Sequence, residues 1–368
     1  MTLNLILIVL ASLYAVELSL YAAAAARARR QGLVNRWTGE QPKVSVIVAA
    51  KDEELNLPAC IESLVRLDYP HSLLEVIIVN DQSTDGTAAV IDTFTKRYGF
   101  VRRVDAVEDS VMRGKANALS QGIESARGEL IFLTDADCAV PASWIRGTFR
   151  HFGKRTGVVG GVTLISRTTD SVSGMQALDW DILLTVAAGA ATLRKPLACL
   201  GNNLAFRKDA YDDVGGYRKI RFSVTEDYAL FKAIVSSGRW DYAYPMDSET
   251  LVETLPVGTL GKVFRQRRRW AVGGKDTGVF GMLTLVPGFL FHWAIIASIF
   301  FSPTALAAAF AFKLVVDTLF ALPTLRFYGK IAHLKFILYF EIYYLIYVAI
   351  LPFSVYLGKG ITWKGRKY

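Results

Sequence analysis

The stretch Glu129-Leu-Ile-Phe-Leu-Thr-Asp135-Ala-Asp137 is apolar and β-prone, then ends abruptly in two carboxylates one residue apart. That pattern predicts a buried strand delivering two acids to the C-terminal edge of a sheet, the edge where open α/β sheets bind ligands. Two hard oxygen ligands so close together suit Mg²⁺ or Mn²⁺ held jointly with substrate phosphates. A strand running into a solvated Asp-rich turn fits this stretch equally well. Its neighbours decide between the two.

Upstream, strands and helices alternate. Val44–Ala50 and Leu74–Val79 are β-rich runs, and a third strand is expected near Val101–Val107. Between them, Asn56–Leu67 spaces Leu57, Ile61, Leu64 and Val65 as a helix does, with Pro58 near its start. Gly86–Tyr98 and Lys115–Ala126 are the next helices. Such alternation predicts an α/β fold, a Rossmann-like, mostly parallel sheet covered by helices on both faces.

The 368-residue chain is 52% hydrophobic, with a mean hydropathy of +0.30. Part of that excess is a nearly unbroken apolar run, Leu3 to Ala26, followed by Arg27, Arg29 and Arg30. It is long enough to span a bilayer, and the arginines predict a cytoplasmic domain after it. A signal peptide is the rival reading, weakened by the absence of a basic leading region. Val279–Phe301, Thr304–Leu325 and Leu334–Tyr356 are three further apolar segments, the first interrupted at Pro287-Gly288 and so kinked, re-entrant or interfacial. Lys313 and Asp317, four apart, are expected to pair inside a bundle. The expected organisation is an N-terminal transmembrane helix (1–30), a cytosolic α/β domain (31–275) and a C-terminal membrane domain with a basic tail (276–368).

Cys60, Cys138 and Cys199 are widely spaced, which fits a reducing compartment and neither a disulfide framework nor a zinc site. The net charge of +9 crowds around the apolar segments, which points to anionic lipid head groups. No nucleic-acid motif stands out.

Six polar clusters follow in order. They are Lys51-Asp52-Glu53-Glu54, Asn80-Asp81-Gln82-Ser83-Thr84-Asp85-Gly86, Gly114-Lys115-Ala116-Asn117, Asp135-Ala-Asp137, Thr225-Glu226-Asp227, and Gln266-Arg267-Arg268-Arg269-Trp270. Each alone has a structural explanation: helix caps for the Asp-rich turns, dipole-stabilising acids at a helix start, a juxtamembrane basic cluster. Together, over roughly residues 43–275, they resemble the family 2 inverting glycosyltransferases.

The resemblance implies a GT-A fold and transfer of a hexose from a nucleotide-sugar to an acceptor, a UDP-sugar being the expected donor. Asp52, Glu54, Asp81 and Lys115 fall on the nucleotide side. Asp137 is the implied metal ligand, with Asp135 touching both metal and nucleotide; Mg²⁺ or Mn²⁺ would neutralise the departing diphosphate. Asp227, beside Glu226, is the implied general base of a single displacement with inversion. Gln266 and Arg269 match the donor side, with Arg269 suited to a diphosphate, and Trp270 packs beside the acceptor. Gly201-Asn202-Asn203 resembles an acceptor-side segment in which Asn203 hydrogen-bonds a sugar or acceptor; a turn is the equal alternative.

Gln-x-x-Arg-Trp occurs both in processive polysaccharide synthases of the chitin, hyaluronan and cellulose type and in ceramide glucosyltransferase and bacterial lipid glycosyltransferases. The small membrane part and the aromatic–basic ending Ile361-Thr-Trp363-Lys364-Gly365-Arg366 favour a lipid acceptor. The expected location is the inner membrane, multi-pass, with the catalytic domain cytoplasmic. Met175–Leu193 is either an interfacial helix that meets the lipid or a core helix. Three full C-terminal spans would put the basic 326–335 loop and the basic tail on opposite sides, which the positive-inside rule cannot satisfy for both.

Overall fold

A computed structural model describes residues 2–31, 37, 39–358, 360, 362–363 and 366–367. In chain order it forms α1 (Thr2–Gln31), β1 (Val44–Ala50), α2 (Leu57–Val65), β2 (Leu74–Asn80), α3 (Thr87–Arg97), β3 (Val101–Asp105), α4 (Gly114–Glu124) and β4 (Leu130–Asp135). There follow β5 (Thr156–Gly160), α5 (Ser171–Thr192), β6 (Leu204–Arg207), α6 (Glu226–Ser236), β7 (Asp241–Ala243), α7 (Leu260–Gly273), α8 (Gly278–Phe301), α9 (Pro303–Phe327) and α10 (Ile337–Leu357). Shorter turns and bridges lie between them.

Two compact units result. One holds Arg29–Leu164, Cys199–Leu255 and the tail, and is built on a seven-stranded sheet of order β3-β2-β1-β4-β6-β5-β7. β1 to β4 run parallel, whereas β6 is antiparallel to β4. Buried residues fill β1, β2 and β4 almost without interruption, as a sheet covered on both faces requires. α2 packs on one face through Leu57, Ile61 and Leu64. On the other face α4 approaches so closely that a Cβ at Gly122 would lie 2.7 Å from Ile47 and 2.8 Å from Val79.

The chain steps outward from β1 to β2 to β3, then returns to place β4 on the other side of β1. The C-terminal ends of β1 and β4 therefore flank a switch point, where ligand crevices open in such sheets. The pairing is in step there: Ala49 faces Asp135 and Ala50 faces Asn80.

The other unit holds Met1–Ala28, Ile165–Ala198 and Pro256–Ile361. Four of its helical stretches are long and apolar enough to cross a membrane: Asn4–Arg30, Leu260–Phe301, Pro303–Phe327 and Ile331–Leu357. α8 runs unbroken through Pro287. The core joins Leu7, Tyr14 and Leu18 of α1 to Leu178 and Ile182 of α5, Phe291 of α8, Phe320 of α9 and Phe340 of α10. α5 is buried on nearly every side, which makes it a core helix of this unit. These units divide the chain differently from the expected 31–275 domain. α5 and α7 interrupt the α/β sequence but pack with the apolar helices: α5 because a helix apolar on nearly every side gains most where no face meets water, and the Arg-rich α7 through the buried pair of Arg267 with Asp179 of α5.

Inside this unit Lys313 and Asp317 pair at 2.6 Å, both buried, as their spacing predicts. Lys313 also pairs with Glu341 of α10, and the Tyr14 hydroxyl donates to Asp317 at 2.6 Å. One polar knot thus links α1, α9 and α10. The tail residues Ile361, Lys364, Gly365 and Tyr368 lie outside the described residues, while Thr362–Trp363 pairs antiparallel with Arg366–Lys367.

Candidate active site

The sheet edge assembles the site of the α/β unit. At the end of β1, Asp52 takes a left-handed conformation, φ 50°, and accepts from the Thr84 N–H at 2.7 Å. Glu54 accepts from the Gly86 N–H at 2.7 Å. Both staple the loop after β1 to the loop after β2. Asp81 is buried at the end of β2, its N–H bonded to the Ala50 carbonyl at 2.8 Å, and Lys51 Nζ caps the Asp81 and Gln82 carbonyls. Asp52, Glu54 and Asp81 therefore converge on one edge of the sheet.

Asp135 ends β4 and Asp137 follows it. Burial, then the charges of Asp135 and Glu53, push the Asp137 carboxyl up to about 6. Crowded carboxylates of this kind are what a divalent cation relieves, and their hard oxygens fit Mg²⁺ or Mn²⁺. No group of three or more His, Cys, Asp or Glu side chains gathers for a metal among the described residues. Asp135 and Asp137 are the acids at this edge that could hold such an ion.

Because β6 runs antiparallel to β4, with Leu204 opposite Leu133, the start of β6 lies at this same edge. The Gly201 N–H, just before β6, donates to Asp227 Oδ2 at 2.7 Å, and the Tyr228 N–H donates to Oδ1 at 2.8 Å. Asp227 opens α6 beside Glu226. Burial, then the Glu226 charge, raise its carboxyl to about 6, against the lowering pull of Lys115 and the two N–H donors. It is therefore mostly ionised at neutral pH yet more basic than an ordinary aspartate, as a general base needs.

Lys115, in the first turn of α4, sits between the two groups of acids. Its ammonium is 2.5 Å from Asp135 and 3.4 Å from Glu226. Burial works against its charge, but Asp135 and Glu226 more than offset this and raise its pKa.

Of the two readings of Gly201-Asn202-Asn203, the structure gives the turn, a single 3-10 turn just before β6. The Asn203 side chain is buried, accepts from Trp144 Nε1 at 2.9 Å, and donates to the Val162 and Thr250 carbonyls at 2.8 and 2.9 Å. Its amide holds the frame of the site instead of facing an acceptor.

Gln266, Arg269 and Trp270 lie on α7, in the helical unit. Trp270 meets Trp180 of α5 edge to face at 5.3 Å. The residue that organises this turn is one the motif does not single out. Arg267 is buried, bonds Asp179 at 2.5 Å, accompanies Gln266 at 3.4 Å, and lies 4.1 Å from the Trp270 ring centre. The i, i+3 spacing of Arg267 and Trp270 is the one sequence signal for it.

With this geometry in place, known proteins supply the class. Residues 45–215 match the model of the glycosyl transferase family 2. Over that stretch the chain resembles the family 2 glycosyltransferases, including bacterial lipid glycosyltransferases, and its fold is GT-A. A beta-monoglucosyldiacylglycerol synthase of Nostoc sp. is 29% identical over 64% of this chain and 50% of its own length. A poly-beta-1,6-N-acetyl-D-glucosamine synthase of Staphylococcus epidermidis is 29% identical over 63% of this chain and 55% of its own. The chain thus spans about half the length of these relatives. The solved mannosyltransferase PcManGT of Pyrobaculum calidifontis, in complex with GDP-Man and Mn²⁺, shares the fold with a TM-score of 0.64 and 19% identity, over 97% of this chain and 99% of that one.

Proposed function

We propose that this protein is a membrane-bound inverting glycosyltransferase that moves a hexose from a nucleoside diphosphate sugar to a lipid hydroxyl in one displacement. The observation that carries this reading is Asp227: a half-buried carboxylate raised to about 6, held by two backbone N–H groups at the same sheet edge as Asp135. It takes the acceptor proton as the hydroxyl attacks the anomeric carbon. Glu226 raises its basicity, and Lys115 offsets the repulsion among the acids.

Asp137 and Asp135 would hold a divalent ion, which supplies charge neutralisation for the departing diphosphate. Asp52, Glu54 and Asp81 frame the nucleotide. For Gln266, Arg269 and Trp270 we keep the roles implied by the motif, a guanidinium for the diphosphate and an indole for the acceptor. The apolar helices and basic flanks support a multi-pass protein of the inner membrane with its α/β unit in the cytoplasm.

The relative that makes a polymer at the same identity supports a second reading, a small polysaccharide synthase. Incubating the purified protein with labelled UDP- and GDP-sugars and lipid extract separates the two. Label in one organic-soluble band is expected; high-mass, water-soluble label would support the polymer, and no transfer with any donor would defeat both.

A further inference from the structure

Beside the carboxylates lies a cavity of about 100 Å³. Val111 and Arg113 line it from the segment entering α4, with Ala116 on that helix; Arg221, Phe222 and Glu226 line it at the entry to α6. None of Asp81, Asp135, Asp137 and Asp227 is part of its wall. Glu226 is, and its charge is met by Lys115 at 3.4 Å. The cavity therefore adjoins the proposed base and shares only Glu226 with the carboxylate cluster.

Its chemistry is that of an anion receptor with an apolar shoulder. Arg113 and Arg221 are exposed and form no ion pair among the described residues. Arg218, also on the wall, is already paired with Asp109 at 2.9 Å and Glu124 at 3.1 Å. Arg113 is the N-cap of α4 and its side chain makes no cap bond to that helix. Val111 is 73% and Phe222 52% exposed, large apolar groups beside two available guanidiniums. Glu226 on its wall directly precedes Asp227 at the start of α6, so the cavity opens one residue from the proposed base.

Building on the glycosyltransferase reading, we propose that the cavity is an acceptor subsite for an anionic head group, a phosphate carried close to the hydroxyl that receives the sugar. Arg113 and Arg221 hold the phosphate with charge-assisted hydrogen bonds, and Val111 and Phe222 cover the adjoining carbon chain.

The test uses the full chain in detergent, with glycerol 3-phosphate and glycerol as probes, titrated calorimetrically with and without UDP or GDP and Mn²⁺. Glycerol 3-phosphate is expected to bind and glycerol not, with saturating nucleotide changing the affinity less than about twofold. Arg113→Gln/Arg221→Gln should weaken the phosphate probe at least about tenfold while leaving nucleotide affinity in place. Displacement of the probe by nucleotide, equal binding to the double variant, or no binding at all would overturn the subsite. Intact nucleotide binding in those cases leaves the glycosyltransferase reading standing; its absence from the unaltered protein would take down both.

Discussion

The Lys115 ammonium lies 2.5 Å from Asp135 and 3.4 Å from Glu226, so one half-buried cation joins the strand-end acids to the acid that precedes the proposed base. Removing it leaves Asp135, Glu226 and Asp227 to repel one another. Lys115→Met should lower kcat/KM by roughly 10²–10³-fold, the scale of losing one preorganised electrostatic contact. Lys115→Arg should recover part of the loss. Steady-state kinetics with circular dichroism as a folding control checks this; a Met variant within a few-fold of the parent refutes the role.

Asp227 must be ionised to accept a proton. Its carboxyl titrates at about 6, so the active form prevails above that pH and is lost below it. The rate should fall about tenfold per pH unit on the acid side. Asp227→Asn should reduce turnover by roughly 10²–10⁴-fold and erase that limb. A pH–rate profile, backed by a stability check at each pH, decides the point.

Gly201 fixes where the base stands. A Cβ there would lie 3.0 Å from Asp227 Cβ and 3.1 Å from Oδ2. Gly201→Ala should therefore displace the carboxylate, cutting kcat by about tenfold or more while Tm changes little, since small misplacements of reacting groups are costly. An unchanged kcat would mean that the carboxylate position is not critical.

Asn203 separates framing from acceptor contact. Asn203→Ala would strand the Trp144 indole N–H and the Thr250 carbonyl, while the Val162 carbonyl keeps the Val252 N–H at 3.2 Å. A loss of about 1–3 kcal/mol per unsatisfied group is expected in denaturant unfolding. A stable variant with only a raised acceptor KM would restore the acceptor role.

Within the apolar bundle, Lys313→Met would leave Asp317 and Glu341 without their cation. Breaking a buried pair this way costs roughly 3–5 kcal/mol, to be seen as a lowered melting temperature in detergent. Tyr14→Phe, which removes only one hydrogen bond to Asp317, should cost about 0.5–3 kcal/mol.

Much of the fold is legible in the amino-acid sequence. The expected strands at Val44–Ala50, Leu74–Val79 and Leu130–Thr134 match β1, β2 and β4 to within one residue, because buried parallel strands are short, apolar and sharply bounded. Asp81, Asp135 and Asp137 can be put at one edge because parallel strands share their C-terminal end. The inward bonds of Asn203 escape the sequence because its partners Trp144, Val162 and Thr250 are 41 to 59 positions away. The pairing of Arg267 with Asp179, 88 positions apart, is hidden in the sequence for the same reason.

The local pattern of the chain dictated the alternating α/β order, the carboxylates at the strand ends and the apolar helices, since these depend on periodicity and on residues adjacent in sequence. The packed chain alone decided that Lys115 bridges Asp135 and Glu226, that the Gly201 N–H holds Asp227, and that α5 and α7 leave the sheet for the helical unit. Those outcomes depend on strand order, on the antiparallel return of β6 and on which surfaces are buried together, and no short stretch of sequence carries that information.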